Sequence, residues 1–222
     1  MATPLKTRAK PRRRKPLDRD SIVQAALTLL DRDGPGVLSA RKLAAACGCE
    51  AMSLYHHVKG MDELRDQVVD RLLGQLPLPV AGSADPAAEA RKLAIAYRAL
   101  IIAHPKVGPL LAEFPLRLPA TQRLVMALQA WGVAAGLAPR DAVRCTRALG
   151  AYVAGATAAE LAWRDTCSLG LLDAPLRDQL ERAGIDAQAF SPDEVAADLG
   201  AGFEALLEGF LARARGDVRR GA

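Results

Sequence analysis

The sequence predicts an all-α fold in which a small N-terminal three-helix domain precedes a larger helical bundle. Apolar residues recur at spacings of three and four, as on one face of a helix, and no segment beyond residue 86 shows the strict alternation that is typical of a strand. Prolines and glycines stand where these helical patterns begin and end. The clearest interruption is the segment PLPVAGSADP, residues 77–86, so we place the domain junction there.

Length and composition bound the class of protein. The chain has 222 residues, half of them apolar, and no run approaches the 18 apolar residues that a membrane helix needs. We therefore expect a soluble protein of one or two domains that does not enter a membrane. The first 20 residues lack the apolar stretch of a signal peptide, so we expect a cytoplasmic protein.

The positive charge is concentrated at the N-terminus. Residues 1–20 hold eight Lys or Arg against two Asp, a net +6, which leaves the rest of the chain near −1. Three prolines and no apolar periodicity predict that residues 1–16 form a disordered basic arm. One interpretation is a solvated tail. The other, favoured by the motif that follows, is an arm whose Arg12, Arg13 and Arg14 contact phosphates or the minor groove of DNA.

The first predicted helix runs from Asp18 to the breaker Asp33-Gly34-Pro35-Gly36. Its apolar stripe consists of Ile22, Val23, Ala26, Leu27 and Leu30. This helix is the predicted support on which the next two helices pack.

Residues 39–58, SARKLAAACGCEAMSLYHHV, read as two short helices joined by a tight turn. Ser39 is a good N-cap, and Gly48 supplies the flexible backbone that such a turn requires. In the second helix Leu54 and Val58 point inward, while the other face is small and polar, which suits a major groove better than a core. The pattern predicts a helix-turn-helix, and the residues that face solvent on its reading helix are Ala51, Met52, Ser53, Tyr55 and His57.

A fourth helix follows the break at Lys59-Gly60. Glu63 is placed to supply half of a capping box at its start. Leucine or valine then recurs every four residues, at Leu64, Val68, Leu72 and Leu76. We expect this helix to tie the first domain to the second.

With its flanks, the motif LSARKLAAACGCEAMSLYHHVKGMDEL resembles the DNA-binding domain of the TetR family of transcriptional regulators, over about residues 17–76. The resemblance implies that Arg41 reads or approaches a base edge. It also implies that Ser53, Tyr55, His57 and Lys59 mostly hold phosphates. Ala51 and Met52 depart from the family's best-known pattern, so an operator sequence cannot be carried over.

Beyond residue 86 the pattern is helical throughout. It predicts helices over residues 87–103, 105–113, 119–135 and 139 to about 163, with Pro105 and Pro139 in first turns. A further helix begins at Ser191-Pro192-Asp193-Glu194, which combines an N-cap, a first-turn proline and a glutamate at the third position.

Small residues crowd the helix after Pro139, in LGAYVAGATAAELAW, where Gly150 and Gly155 lower its own stability. Small side chains permit another helix to approach closely. Together with the last helix, this helix could give two helices per subunit to a four-helix homodimer interface, as the resemblance also implies. Alternatively, both helices fill the core of the monomer.

No pattern of catalytic residues is present, so we expect no enzyme, no cofactor and no metal site. Cys47 and Cys49 are too close for a paired zinc motif, and Cys145 and Cys167 stand alone among apolar residues. Buried inert thiols and a redox-sensing pair both remain open.

Residues 86–215 are the predicted ligand-binding and dimerisation domain, and residues 87–163 resemble the ligand domain of the tetracycline-repressor class. Leu76 and Leu110 stand where a metal-chelated ligand would need polar partners, so we expect an apolar small molecule bound without metal. The residues predicted to surround it are Tyr97, His104, Phe114, Trp131, Tyr152 and Glu160.

These observations together predict a dimeric, ligand-responsive regulator that binds a palindromic double-stranded DNA operator and is released by an inducer. Repression is the commoner mode in the family, and activation stays open. A constitutive DNA-binding protein and a small helical enzyme are the alternatives. Neither the inducer nor the regulated genes follow from the residues.

Overall fold

A computed structural model describes residues 17–168, 174–184 and 191–216, and within these ranges all regular structure is helical. The α-helices are α1 (Arg19–Asp33), α2 (Ala40–Cys47), α3 (Ala51–Leu54), α4 (Met61–Leu73), α5 (Pro86–Ala103), α6 (Gly108–Ala112), α7 (Pro119–Ala134), α8 (Pro139–Ser168), α9 (Ala174–Arg182) and α10 (Pro192–Arg215). A 3₁₀ turn, Pro35–Val37, follows α1. The predicted all-α fold is confirmed.

Helices α1 to α4 share one apolar core. A capping box starts α1. The Asp18 carboxylate accepts a hydrogen bond from Ser21 N, and the Ser21 hydroxyl oxygen accepts one from Asp18 N. The helix ends at Gly34, whose φ of 83° is one that L side chains rarely adopt. Leu43 of α2 and Leu54 of α3 are fully buried in the core that α1 to α4 share, so both short helices depend on this core for stability.

The turn between α2 and α3 forms as predicted. Ser39 Oγ accepts a hydrogen bond from Lys42 N, and Gly48 takes the left-handed conformation at φ 66°, ψ 34°. Helix α3 is a single turn, shorter than the two turns predicted, and irregular turns continue to residue 57. Glu50 makes no side-chain cap for α3, so burial of Leu54 and Val58 is what holds this segment.

Helix α4 connects the two halves of the molecule. Its residues Leu64, Val68 and Leu72 are buried, and α4 packs on α1 on one side and on α6 and α7 on the other. At its start the Glu63 carboxylate accepts the backbone N–H of Lys59 at 2.5 Å. This bond lowers the pKa of Glu63 and supplies the predicted half capping box, displaced by one residue.

In the second half, α8 packs against α5, α7 and α10. Trp131 of α7 is 1% exposed, and its indole N–H donates to Pro86 O at 3.0 Å. Gly132, the next residue, allows α7 and α8 to approach closely, because a Cβ there would lie 2.8 Å from that of Ala142. The core of this half is therefore built around α8.

Two predicted helix limits in the second half were wrong, and one helix was missed. Helix α6 begins at Gly108 and not at Pro105, since residues 104–107 form a turn after α5. Helix α8 continues to Ser168. Helix α9 was not predicted, because APLRDQLER offers only two apolar residues at helical spacing, Leu176 and Leu180. Helix α10 begins as predicted, with Ser191 Oγ accepting from Glu194 N at 3.3 Å.

Within the described part of the chain, no helix is both long enough and apolar enough to cross a lipid bilayer.

Candidate DNA-binding surface and ligand cavity

The predicted reading surface is exposed. Met52 is 72% exposed and Tyr55 47%, and Arg41 and Lys59 also lie at the surface. Ala51, Ser53 and His57 are partly exposed. Leu54 and Val58 anchor this segment from below, at 0% and 2% exposure, so the fold presents one side of α3 and its following turn to solvent.

Most polar side chains of this surface make no hydrogen bond or ion pair with the described part of the chain. Among the described residues, the side chains of Arg41, Tyr55, His57 and Lys59 have no hydrogen bond or ion pair. Nearby cations differ: Arg19 is held by Glu63 at 2.7 Å, and the Lys42 ammonium lies 3.8 Å from Asp33. Arg41 and Lys59 are therefore the cations of this surface that can bind phosphate or a base edge without first losing a partner.

The sequence pattern did not single out Lys42, which lies exposed beside Arg41 in the first turn of α2. The sequence feature that could have indicated Lys42 is its position directly after Arg41 in the same helical turn. The predicted arm residues Arg12, Arg13 and Arg14 lie outside the described residues.

An apolar cavity of about 540 Å³ lies between α5, α7 and α8, and it is closed by the segment after α6 and by α10. Its size falls within the range of pockets for small molecules. Its lining consists of Leu76, Ala90, Leu93, Ala94, Tyr97, Ala112, Phe114, Leu116, Leu124, Val125, Leu128, Gln129, Trp131, Val143, Thr146, Arg147, Leu149, Gly150, Ala151, Val153, Ala154 and Phe203. This lining is apolar apart from three residues on its α7 and α8 walls, Gln129, Thr146 and Arg147.

Three of the six predicted ligand residues line this cavity: Tyr97, Phe114 and Trp131. The Tyr97 hydroxyl donates to Leu111 O at 3.3 Å, and burial raises its pKa to about 12. The phenol is therefore neutral at physiological pH. Phe114 has φ 47°, the one positive φ among the described non-glycine residues, a conformation that costs about 1 kcal/mol or more.

The other three predicted ligand residues lie outside this cavity. His104 Nδ1 is 3.0 Å from each carboxylate oxygen of Asp31, in α1. Tyr152 lines a second cavity of about 460 Å³ between α5, α8 and α10, where its hydroxyl donates to Leu199 O at 3.0 Å. Phe203 borders both cavities.

Glu160 is 0% exposed and is held by two arginines. Arg98 of α5 donates to both of its carboxylate oxygens, at 2.8 and 2.6 Å, and Arg164 donates at 2.6 Å. Burying a carboxylate requires partners of this kind, because an unpaired charge would cost several kcal/mol. The geometry thus gives Glu160 a structural task, which is to join α5 to α8.

Sequence reasoning missed most of the cavity wall, including Leu116, Leu128, Gln129, Thr146, Arg147 and Gly150. The aromatic residues attracted attention because they are large. The space itself is created by smaller residues such as Ala90 and Gly150, whose only signal is the absence of bulk.

Two segments link α4 to the wall of the cavity, which no residue of α4 itself lines. Leu76, just after α4, lines the cavity. On the opposite side, Phe114 and Leu116 line it, and the next residue, Arg117, forms a bidentate pair with Asp66 of α4 at 2.8 and 2.5 Å. One turn along α4, Asp70 accepts the backbone N–H of Ala120 at 2.7 Å, which caps the start of α7.

Two of the described thiols, Cys47 and Cys145, are not poised for chemistry. Cys145 is fully buried, and burial raises its pKa to about 11. Burial also raises the pKa of Cys47, and a raised pKa lowers thiolate reactivity. The side chain of Cys167 lies outside the described residues. In the described ranges, no group of three or more His, Cys, Asp or Glu side chains could hold a metal ion.

Known proteins resemble this chain in sequence and in fold. No family model matches the chain. A transcriptional regulator of the helix-turn-helix type from Saccharopolyspora erythraea is 35% identical over 153 residues, which is 68% of this chain and 65% of that protein. The match therefore spans somewhat less than two thirds of that relative's length.

Two solved structures cover almost the whole chain. A transcriptional regulator from Streptomyces coelicolor, described as a TetR, is 26% identical, with a TM-score of 0.64 over 88% of this chain and 98% of its own. The S. coelicolor TetR family protein ActR in complex with actinorhodin is 23% identical, with a TM-score of 0.70 over 90% and 99%. The latter likeness concerns the fold.

Helix order, helix-turn-helix motif and relatives agree with one another, and they agree with the expectation that the chain is not an enzyme. In fold the chain is similar to transcriptional regulators of the TetR family, and in sequence to a transcriptional regulator of the helix-turn-helix type.

Proposed function

We propose that this protein is a dimeric transcriptional repressor that binds a palindromic double-stranded DNA operator and leaves it when an apolar small molecule enters the cavity of the second half. The observation that carries the proposal is that α4 packs on α1, the helix that supports the helix-turn-helix, and is bonded through Asp66 and Asp70 to the segment that follows the cavity-lining residues Phe114 and Leu116. Residues 17–76 would bind DNA, and residues 86–215 would bind the ligand and the second subunit.

The reading surface supports the DNA-binding part. Arg41 has an exposed guanidinium with no intramolecular partner in the described chain, and such a fork matches the O6 and N7 atoms of guanine. Tyr55, His57 and Lys59 would contact phosphates, which fix the register of a protein on DNA. Arg12, Arg13 and Arg14 would add contacts to the backbone or minor groove.

A face of small residues supports the dimer. Ala151, Gly155 and Ala159 of α8 lie exposed, and so do Ala201, Ala205 and Gly209 of α10, the helix packed beside it. A Cβ at Gly155 or Gly209 would meet nothing within 4 Å. Two such faces would pack closely in a four-helix interface with two-fold symmetry.

The contacts of α4 suggest how a ligand could act. A ligand that presses on Phe114 or Leu116 displaces the segment that holds Arg117, and Arg117 grips α4 through Asp66. The same movement would shift Ala120 from Asp70. Helix α4 would then reorient the reading surface, and the two surfaces of the dimer would no longer match the two half-sites.

The relatives support a ligand-responsive regulator. ActR has been solved with actinorhodin, and its fold matches this chain over 90% of its length. No carboxylate or imidazole is among the described residues that line the cavity, and Leu76 offers no ligand to a metal-chelated drug. Calorimetry tests this part: magnesium-dependent binding of tetracycline would contradict the proposal, and metal-independent heat from an apolar compound that also releases DNA would support it.

The DNA-binding part is tested by selecting duplexes from a random pool with the full-length protein. We expect an inverted repeat with half-sites about one helical turn apart, and binding of that duplex by two subunits. Sequence-independent retention of the pool, or a selected site without two-fold symmetry, would contradict the proposal. A gel shift on the region upstream of the protein's own gene, with and without ligand, tests regulation.

The dimer is tested by two glycines on the α8 and α10 pair. Gly155→Leu should shift sedimentation towards monomer at micromolar concentration while leaving the urea midpoint of the monomer unchanged, because its Cβ position is open. Gly202→Ala is the contrasting control. A Cβ there would lie 2.0 Å from the Tyr152 hydroxyl, so this variant should lower the stability of each subunit. A wild-type monomer would overturn the assignment.

A constitutive DNA-binding protein is the second possibility, and the apolar cavity argues against it. An empty space of this size costs stability, so its retention favours a ligand. DNA binding that no cavity-bound compound affects would favour the alternative.

A further inference from the structure

Arg147 occupies an unusual place in the cavity wall. It lies on α8, is exposed, and lines the cavity together with residues that are deeply buried, such as Leu124 and Leu149. Other exposed lining residues, Leu116 and Val143, are 64% and 41% exposed. These exposed residues mark the mouth of the cavity, and Arg147 is the cation that stands there.

No described residue neutralises this cation. Arg147 has no hydrogen bond or ion pair within the described ranges. Its neighbours one turn away on α8 are Val143, Arg144, Gly150 and Ala151, and α7, the helix across the mouth, contains no Asp or Glu. The adjacent Arg144, by contrast, is paired with Asp141 at 3.1 Å.

Residues 119–159, which contain α7 and most of α8, form a positive segment of the sequence that ends at Glu160. Residues 119–159 carry four arginines and one aspartate, a net charge of +3, whereas the chain after residue 20 is near −1. An apolar cavity with a low-dielectric wall focuses this field at its mouth.

Two neutral polar groups lie beside Arg147. Gln129 Nε2 donates to Thr146 Oγ1 at 3.4 Å, and Thr146 Oγ1 donates to Ala142 O at 2.9 Å. The Gln129 carbonyl oxygen has no partner in the described chain, and both residues line the cavity. The mouth therefore offers a fork-shaped cation beside hydrogen-bonding groups, while the floor is apolar.

We infer that the ligand is an amphipathic acid, whose ring system or aliphatic body fills the cavity and whose carboxylate or sulfonate lies at the mouth against Arg147. A guanidinium binds such anions through two parallel hydrogen bonds. Ala151, one turn along α8 from Arg147, lines the cavity and is also part of the proposed dimer face, so the mouth of the cavity lies at the edge of that face. This inference rests on the ligand cavity of the proposed function.

Two fluorescent probes that share one ring system test it: neutral N-phenyl-1-naphthylamine and its sulfonate, 8-anilino-1-naphthalenesulfonate. The full-length protein should bind the sulfonate about tenfold more tightly than the neutral probe. Arg147→Met keeps the apolar stem and removes the charge, so it should abolish this preference and leave the neutral probe unaffected. Arg147→Lys should retain part of it. Arg144→Met, which changes an arginine outside the cavity, should change neither affinity.

A variant that fills the cavity separates the inference of an acidic ligand from the proposed function on which it rests. Gly150 lines the cavity, and a Cβ there would meet nothing within 4 Å, so Gly150→Phe should fold and exclude both probes. If the neutral probe binds Gly150→Phe as well as wild type, the cavity is not a ligand site and both proposals fall. If Gly150→Phe excludes the neutral probe but Arg147→Met weakens neither probe selectively, the ligand cavity stands and the acidic ligand is overturned.

Discussion

Two sites of the molecule, the reading surface and the buried cluster around Glu160, treat their charged side chains in opposite ways. In the first half, Arg41 and Lys59 extend into solvent without partners in the described chain. In the second half, Arg98 and Arg164 are both committed to Glu160, which is fully buried. A free cation at a surface is available to another molecule, whereas a cation that compensates a buried carboxylate is part of the fold. The charge of a side chain alone does not distinguish these two roles. Its intramolecular partners do.

The same contrast applies to aromatic and apolar residues. Met52 and Tyr55 are exposed on the reading surface, where neither contributes to a core. Trp131 is buried and bonded to Pro86 O, so it serves the fold even though it borders the cavity. Substitutions on the reading surface should therefore change DNA binding without changing stability, and substitutions at the buried pairs should mainly change stability.

The largest effect is expected for Glu160→Gln. This change leaves Arg98 and Arg164 facing an uncharged amide in a buried position. Loss of one partner of a buried pair costs roughly 3 to 5 kcal/mol, and we expect about 2 to 3 because both arginines are partly exposed. Urea unfolding measures the loss.

Glu204→Gln provides the matched control, because Glu204 forms the same bidentate pair with Arg91 on the surface between α10 and α5. We expect a much smaller loss than for Glu160→Gln, because solvent screens an exposed pair. If Glu160→Gln were as stable as wild type and had lost only ligand binding, Glu160 would be a ligand residue, as its sequence context suggested, and the comparison would fail.

The range over which residues interact along the chain explains what the sequence could and could not predict. The helix-turn-helix was readable because its signals are local: the cap at Ser39, the turn at Gly48 and the inward spacing of Leu54 and Val58 all act within one turn. Glu160 and Arg98 are 62 residues apart, and no local pattern announces that they meet. His104 was likewise assigned to the cavity because its contact with Asp31 depends on how α1 and α5 pack.

Helix α9 shows a second limit. Its sequence has too few apolar residues to display a period, so its helical state could not be distinguished from a polar loop. The cavity shows a third, because empty space arises from the packing of several helices and belongs to no single segment.

An intermediate effect is expected for Arg41→Ala, in the other region. DNA binding should weaken by about 1 to 3 kcal/mol and base preference should relax at one position of each half-site. Stability should not change, since Arg41 supports no other described residue. Fluorescence anisotropy on the selected duplex and its single-base variants measures both properties.

Arg140→Ala is the control for Arg41→Ala, because Arg140 is an exposed arginine in the first turn of α8, far along the chain from the motif. It should bind DNA like wild type. Unchanged affinity and base preference in Arg41→Ala would mean that α2 does not lie where we place it on DNA.

The smallest effect at physiological salt is expected for removal of residues 1–15, which contain seven Lys or Arg. Cations on a flexible segment bind phosphates by releasing counterions, so the plot of log affinity against log salt should become shallower by about 0.9 for each phosphate that the arm neutralises. Base preference should stay the same. A slope equal to that of the full chain would mean that the arm is only solvated.

The central claim is that occupancy of the cavity controls the reading surface through α4. It is tested most directly by measuring the affinity for the selected duplex with and without compounds that displace N-phenyl-1-naphthylamine, in wild type and in Arg117→Met. Arg117→Met removes the pair with Asp66 and leaves the cavity lining in place. We predict that such compounds weaken DNA binding by wild type at least tenfold, and that the variant binds them equally well but responds less. DNA affinity that is the same with the cavity empty and filled would contradict the account.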